Sequence, residues 1–158
     1  MSEDAKFDRD VVNKTTKILK RYRGKYPFTQ LINCTLGLII LPFEKTNRSN
    51  HDYWDVDINC IPQLLDLVNI IRFEPIKKIR RTGGIEYYPK DLKNLLRKIR
   101  HGLAHQRIVP KFRQTDGKNI IEGINIKNYF EEQGKMNHLD LEIEFSRKQL
   151  KDFALFIV

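Results

Sequence analysis

The chain has 158 residues, 41% hydrophobic and 10% aromatic, with 29 Lys and Arg against 20 Asp and Glu, for a net charge of +9. That length suits one domain with a real core, and the apolar content excludes a disordered chain. Only 8 Gly and 6 Pro are present, which excludes collagen-like and low-complexity classes.

The first predicted element is an amphipathic helix over 5–23, where Phe7, Val11, Ile18, Leu19 and Tyr22 recur at helical spacing and Gly24 and Pro27 close it. A second helix, about 28–41, is apolar nearly all round and therefore central. Its apolar run from Leu31 to Phe43 holds Asn33, Thr35 and Pro42, and falls short of the roughly 20 residues of a bilayer span. No membrane association is expected. The polar start, MSEDAKFDRD, is unlike a signal peptide. Cys34 and Cys60 form no CxxC pair, so reduced thiols and a cytoplasmic location are expected.

Thr46 to Asp57 reads as a polar loop. Asp52, Asp55 and Asp57 around Trp54 lack the Gly turn and closing Glu of a calcium loop, and read as solvated. A short helix over 61–71 follows, with Pro62 suited to its first turn. Phe73 to Tyr88 is irregular and carries the basic cluster Lys77, Lys78, Arg80 and Arg81 before Gly83–Gly84. No GxxxxGK pattern is present, so this is no nucleotide P-loop. It is either a solvated turn or a grip for RNA.

A long helix is predicted over about 89–106, with Leu92, Leu95, Leu96, Ile99 and Leu103 as its apolar stripe. At about 100° per residue, Arg97, Arg100, His101, Ala104 and His105 gather on another face. Beyond it the pattern turns to period two. Strands are predicted over 107–112, 120–126 and 138–145 within a meander spanning 107–145, with Asp116–Gly117 as a turn. Ser146 and Gln149 form a capping box for a last helix over 146–157. The expected fold is a single domain over 1–158, mainly α: a helical bundle with a small antiparallel β-meander and a C-terminal helix.

Charge gives the chain an address. Residues 71–114 hold 13 basic and 3 acidic residues, a net +10 that exceeds the surplus of the whole chain. Such a segment attracts a polyanion. The Arg and His face inside it has the groups that RNA cleavage without metal needs. The 2′-hydroxyl of RNA is its own nucleophile. A His near neutral pKa moves protons, and an Arg holds the phosphate. A second copy of the chain across a two-fold axis would supply a second His, with Gly102 and Ala104 allowing two helices to approach. The bland alternative is a helix end whose His suits the helix dipole. His101 and His105 are also an i, i+4 pair, but Gly102 stands where a metalloprotease needs Glu, so no metal is expected.

The string Arg100–His101–Gly102–Leu103–Ala104–His105 resembles the signature of HEPN-domain proteins (higher eukaryote and prokaryote nucleotide-binding), and the layout is similar to their plasmid- and prophage-borne nucleases. The resemblance implies a HEPN-like helical bundle and a homodimeric, metal-independent endoribonuclease without cofactor, acting in prokaryotic defence or a toxin system. It also implies RNA as partner, and an antitoxin or sensor protein as another. Arg100 and His105 match the two motif residues. His101 takes the polar position after the Arg, and with Arg97 is a supporting candidate. Position 107 is Arg where the toxin branch typically has Tyr, which counts against control by tyrosine modification. A catalytically inactive RNA-binding or regulatory dimer is the alternative. A module recognising an acidic protein is a third reading.

Overall fold

The computed structural model describes residues 3–21, 27–48, 54–74, 77–79, 85–87, 90–132 and 135–157, with side chains over 9–21, 28–39, 54–74, 90–130 and 138–157. Five helices and six strands are described: α1 (Glu3–Arg21), α2 (Pro27–Arg48), α3 (Pro62–Leu67), β1 (Asn69–Phe73), β2 (Lys77–Ile79), β3 (Ile85–Tyr87), α4 (Leu92–Ala104), β4 (Ile108–Thr115), β5 (Lys118–Glu132), β6 (Lys135–Ser146) and α5 (Arg147–Phe156).

The expectation of a mainly α chain is overturned. Strands β1, β6, β5 and β4, in that order, form a four-stranded antiparallel sheet, and β2 pairs with β3 in a separate ribbon. At 15 residues β5 is longer than the 13-residue α4. The fold class is therefore α+β, with helices gathered on a substantial sheet. One cause is Asn69–Phe73, which sequence spacing assigns partly to a helix over 61–71. Helix α3 ends at Leu67, and Asn69 to Phe73 pair antiparallel with Glu144 to Leu141 of β6. Ile70, Ile71 and Phe73 suit a strand as well as a helix, and the distant partner decides.

The hairpin and cap signals are realised in detail. Asp116 and Gly117 both have positive φ, 50° and 73°, and join Thr115 to its partner Lys118 in a two-residue turn. Ser146 caps α5 by accepting from the Gln149 backbone at 3.2 Å, while the Gln149 side chain accepts from the Ser146 backbone at 2.9 Å.

The core lies between one face of the sheet and the helices. Leu38 and Ile39 of α2, Leu95, Leu96 and Ile99 of α4, and Ile124, Ile126, Leu141 and Ile143 of β5 and β6 are completely buried. Each such side chain contributes about 1.5–3 kcal/mol of hydrophobic stabilisation. Helix α2 packs on α1, α4 and α5, as its all-round apolarity requires. The opposite face of the sheet is ionic: Lys111 meets Glu144 at 2.8 Å, and Glu142 receives Lys127 at 3.3 Å and Asn125 at 2.8 Å. Among the described residues no helix is long and apolar enough to cross a membrane.

Candidate functional site: the C-terminal end of helix α4

Helix α4 is fixed at its start. Asp91 accepts a hydrogen bond from the Asn94 backbone at 2.7 Å, and its carboxyl is pushed above the usual range by burial, against the pull of that hydrogen bond. The Leu92 amide donates to the Val56 carbonyl at 2.9 Å, so the loop around 56–58 clamps the helix entry. The carboxylates of that loop serve this clamp. Asp55 pairs with Lys93 at 3.1 Å and Asp57 accepts from the Asn59 backbone at 2.8 Å. Asp52 lies outside the described residues.

The far end of α4 is built with equal care. The Gln106 amide donates to Leu103 and the Arg107 amide to Gly102, at 3.2 and 2.8 Å, in the two-bond termination that requires a left-handed residue after the cap. Gln106 fills that place at φ 55°. A non-glycine residue there holds some backbone strain, and it adjoins His105, the C-cap residue. Gly102 is buried, and a Cβ on it would lie 2.6 Å from Ile126 Cγ2 and 2.7 Å from the Lys127 carbonyl oxygen. This glycine therefore seats α4 on β5 of its own chain. The expectation that it opens a path for a second helix is corrected.

The Arg and His face follows from this seating. Arg97, Ala104 and His105 are exposed, while Arg100 and His101 are half-buried. Arg100 Nη2 lies 3.2 Å from His101 Nε2. A guanidinium has no acceptor, so this hydrogen bond requires a neutral His101 with its lone pair on Nε2 and its proton on Nδ1. The electrostatics agree. Burial lowers the His101 pKa, and the nearby charges of Arg100, Arg97, His105 and Arg107 lower it further. The rings of His101 and His105 meet edge to face with centroids 6.1 Å apart. The structure thus gathers Arg97, Arg100, His101 and His105 at one helix end. Lys77 and Lys78 lie on β2 with side chains outside the described set, and Arg80 and Arg81 lie outside the described residues.

Two groups escaped the sequence reading. Arg107 enters the patch from the start of β4, because the turn at Gln106 folds the chain back beside the helix it has just left. Its Nη1 donates to Asn128 Oδ1 at 3.4 Å, and its guanidinium carbon lies 5.5 Å from the Tyr129 ring centre. Lys98 is buried, with 1% of its surface exposed. Its Nζ pairs with Asp140 at 3.0 Å, lies over the Phe73 ring at 5.1 Å and donates to the Glu74 carbonyl. Burial pulls its pKa down, and Asp140 opposes this. No periodicity marks Lys98, since its position on the helical wheel is one that solvent would ordinarily cover.

An exposed arginine, a half-buried one and two imidazoles around a neutral acceptor can bind an anion and move protons. The comparisons with known proteins fit this chemistry. The family model described as HEPN pEK499 p136 matches residues 1–158. The chain belongs to that family of HEPN domains, on plasmid-type proteins. No curated protein and no solved structure matched it.

Proposed function

We propose that this protein is a metal-independent endoribonuclease that acts as a homodimer, with Arg100 and His105 of two protomers forming one composite site. HEPN domains are often ribonucleases, and the family reading extends to a setting in prokaryotic defence or a toxin system, with an antitoxin or sensor as partner. The observation that carries the proposal is the clustering of Arg100, His101 and His105 at the end of α4, with His101 held neutral by burial and by its cationic neighbours.

The reaction needs no external nucleophile. One His105 takes the proton of the 2′-hydroxyl as that oxygen attacks phosphorus. The bond from phosphorus to the 5′-oxygen breaks, and the partner subunit's His105 gives the departing oxygen a proton. The products are a 2′,3′-cyclic phosphate and a 5′-hydroxyl. Arg100 stabilises the charge that builds on the non-bridging oxygens, while His101 positions Arg100 by accepting from Nη2. Arg97, exposed one turn earlier, meets the incoming backbone. The exposed Ala104 leaves room for the second protomer.

The test is RNA cleavage in EDTA by wild type and His105→Ala. Cyclic-phosphate ends that vanish in the variant support the proposal, and full activity in His105→Ala sinks it. Salt-sensitive RNA binding without turnover would instead identify the patch as a binding surface alone.

A further inference from the structure

We infer that Arg107 forms a second phosphate subsite beside the Arg100/His105 patch, so that the ligand is an oligonucleotide held at more than one phosphate. The inference rests on the RNA reading above and adds a residue from a different element. Arg100 comes from a helix and Arg107 from the strand that follows it, and the turn at Gln106 brings both to one surface.

The support beneath Arg107 argues that its guanidinium is aimed. Asn128 is buried at 5% exposure and donates from Nδ2 to Asp140 Oδ1 at 2.9 Å. An ionised carboxylate only accepts, so the Asn128 amide has one permitted orientation, with Oδ1 turned to Arg107. Asp140 is in turn anchored by the buried ammonium of Lys98 at 3.0 Å. A chain of four side chains, Lys98, Asp140, Asn128 and Arg107, therefore runs from the core to the surface. The Tyr129 ring supports the guanidinium as well. Asn128 and Tyr129 are neutral, so they orient the group without cancelling its charge, and that charge reaches His101. A fixed guanidinium whose field reaches the proposed site suits a phosphate next to the scissile one, since Arg recognises phosphate best when its planar fork is preorganised. Asn128 and Tyr129 are positioning residues in this arrangement.

The probe is a fully 2′-O-methylated RNA oligonucleotide, which cannot be cleaved, with its affinity measured from about 50 to 200 mM salt. Arg107→Gln should weaken binding about tenfold at the low-salt end and reduce the log–log salt slope by about 0.7, the loss of one single-strand phosphate contact. Arg107→Lys should keep the slope. Asn128→Ala and Tyr129→Leu should weaken binding with the slope unchanged, and Tyr129→Phe should bind as wild type. Thermal unfolding confirms that each variant is folded. Wild-type affinity and slope in Arg107→Gln would overturn the subsite, as would an equal loss for a dinucleotide too short to reach it. The two proposals fail separately. Arg107-dependent binding without cleavage removes the nuclease reading alone, and cleavage indifferent to Arg107 removes the subsite alone.

Discussion

Lys98 and Arg100 stand two residues apart on one helix, and their surroundings differ in kind. Lys98 points inward, is sealed by Phe73, and has an opposite charge at 3.0 Å. Arg100 is half-buried among other cationic side chains and beside a neutral imidazole that accepts from it. A cation with its counter-charge inside the protein is complete without a ligand. Like charges gathered at the surface raise one another's energy, and an arriving anion relieves that cost. The contrast separates structural charge from functional charge on a single helix, and it can be broken at several points.

The largest effect belongs to the buried pair. Lys98→Met or Asp140→Leu alone leaves one buried charge unpartnered and should cost about 3–5 kcal/mol in urea unfolding. The double variant should recover much of that loss, because two apolar groups leave nothing to neutralise. Equal costs for the double and single variants would show that the pair is not the unit.

Next comes the seat of the helix end. Gly102→Ala drives a methyl against the Lys127 backbone and Ile126, and should cost about 1–3 kcal/mol of stability, since β5 backbone cannot yield as a side chain tip can. It should also displace the Arg and His face, so RNA cleavage should fall more than the folded fraction does. A stable, fully active variant would detach the face from its packing.

Gln106→Gly should act in the opposite direction. Releasing the left-handed strain at φ 55° should stabilise the protein by about 0.5–1 kcal/mol, read as a higher unfolding midpoint. The smallest effect is a slope with pH. The His101 pKa is lowered in the fold, first by burial and then by Arg100 and its neighbours. The unfolded chain therefore binds a proton more readily. His101 contributes no penalty above its unfolded pKa of about 6.5, and stability falls as pH drops below it toward the folded value. His101→Gln keeps an acceptor for Arg100 and should flatten that acid-side decline in the unfolding midpoint.

The legible parts of this protein were those written in local sequence. The apolar stripe from Leu92 to Leu103 defines α4, Ser146 and Gln149 start α5, and Asp116–Gly117 turns the β4–β5 hairpin. The hexapeptide Arg100 to His105 also leads to the family that the whole chain matches. What stayed hidden depends on distant partners. Asn69–Phe73 becomes a strand only because β6, about 70 residues later, offers an edge, which is why a mainly α fold was expected and an α+β fold found. Lys98 resembles its solvated neighbours until Asp140 arrives beneath it. Gly102 suggests contact with another molecule until Ile126 and Lys127 of the same chain occupy its surface.

By itself the sequence determined the basic segment, the motif and the helix carrying both, because residue type and helical spacing are local properties. Tertiary structure decided how the charges divide. It buried Lys98 against a carboxylate, made His101 a neutral acceptor, and added Arg107 from a strand, since charge state and orientation follow from neighbours that folding brings together.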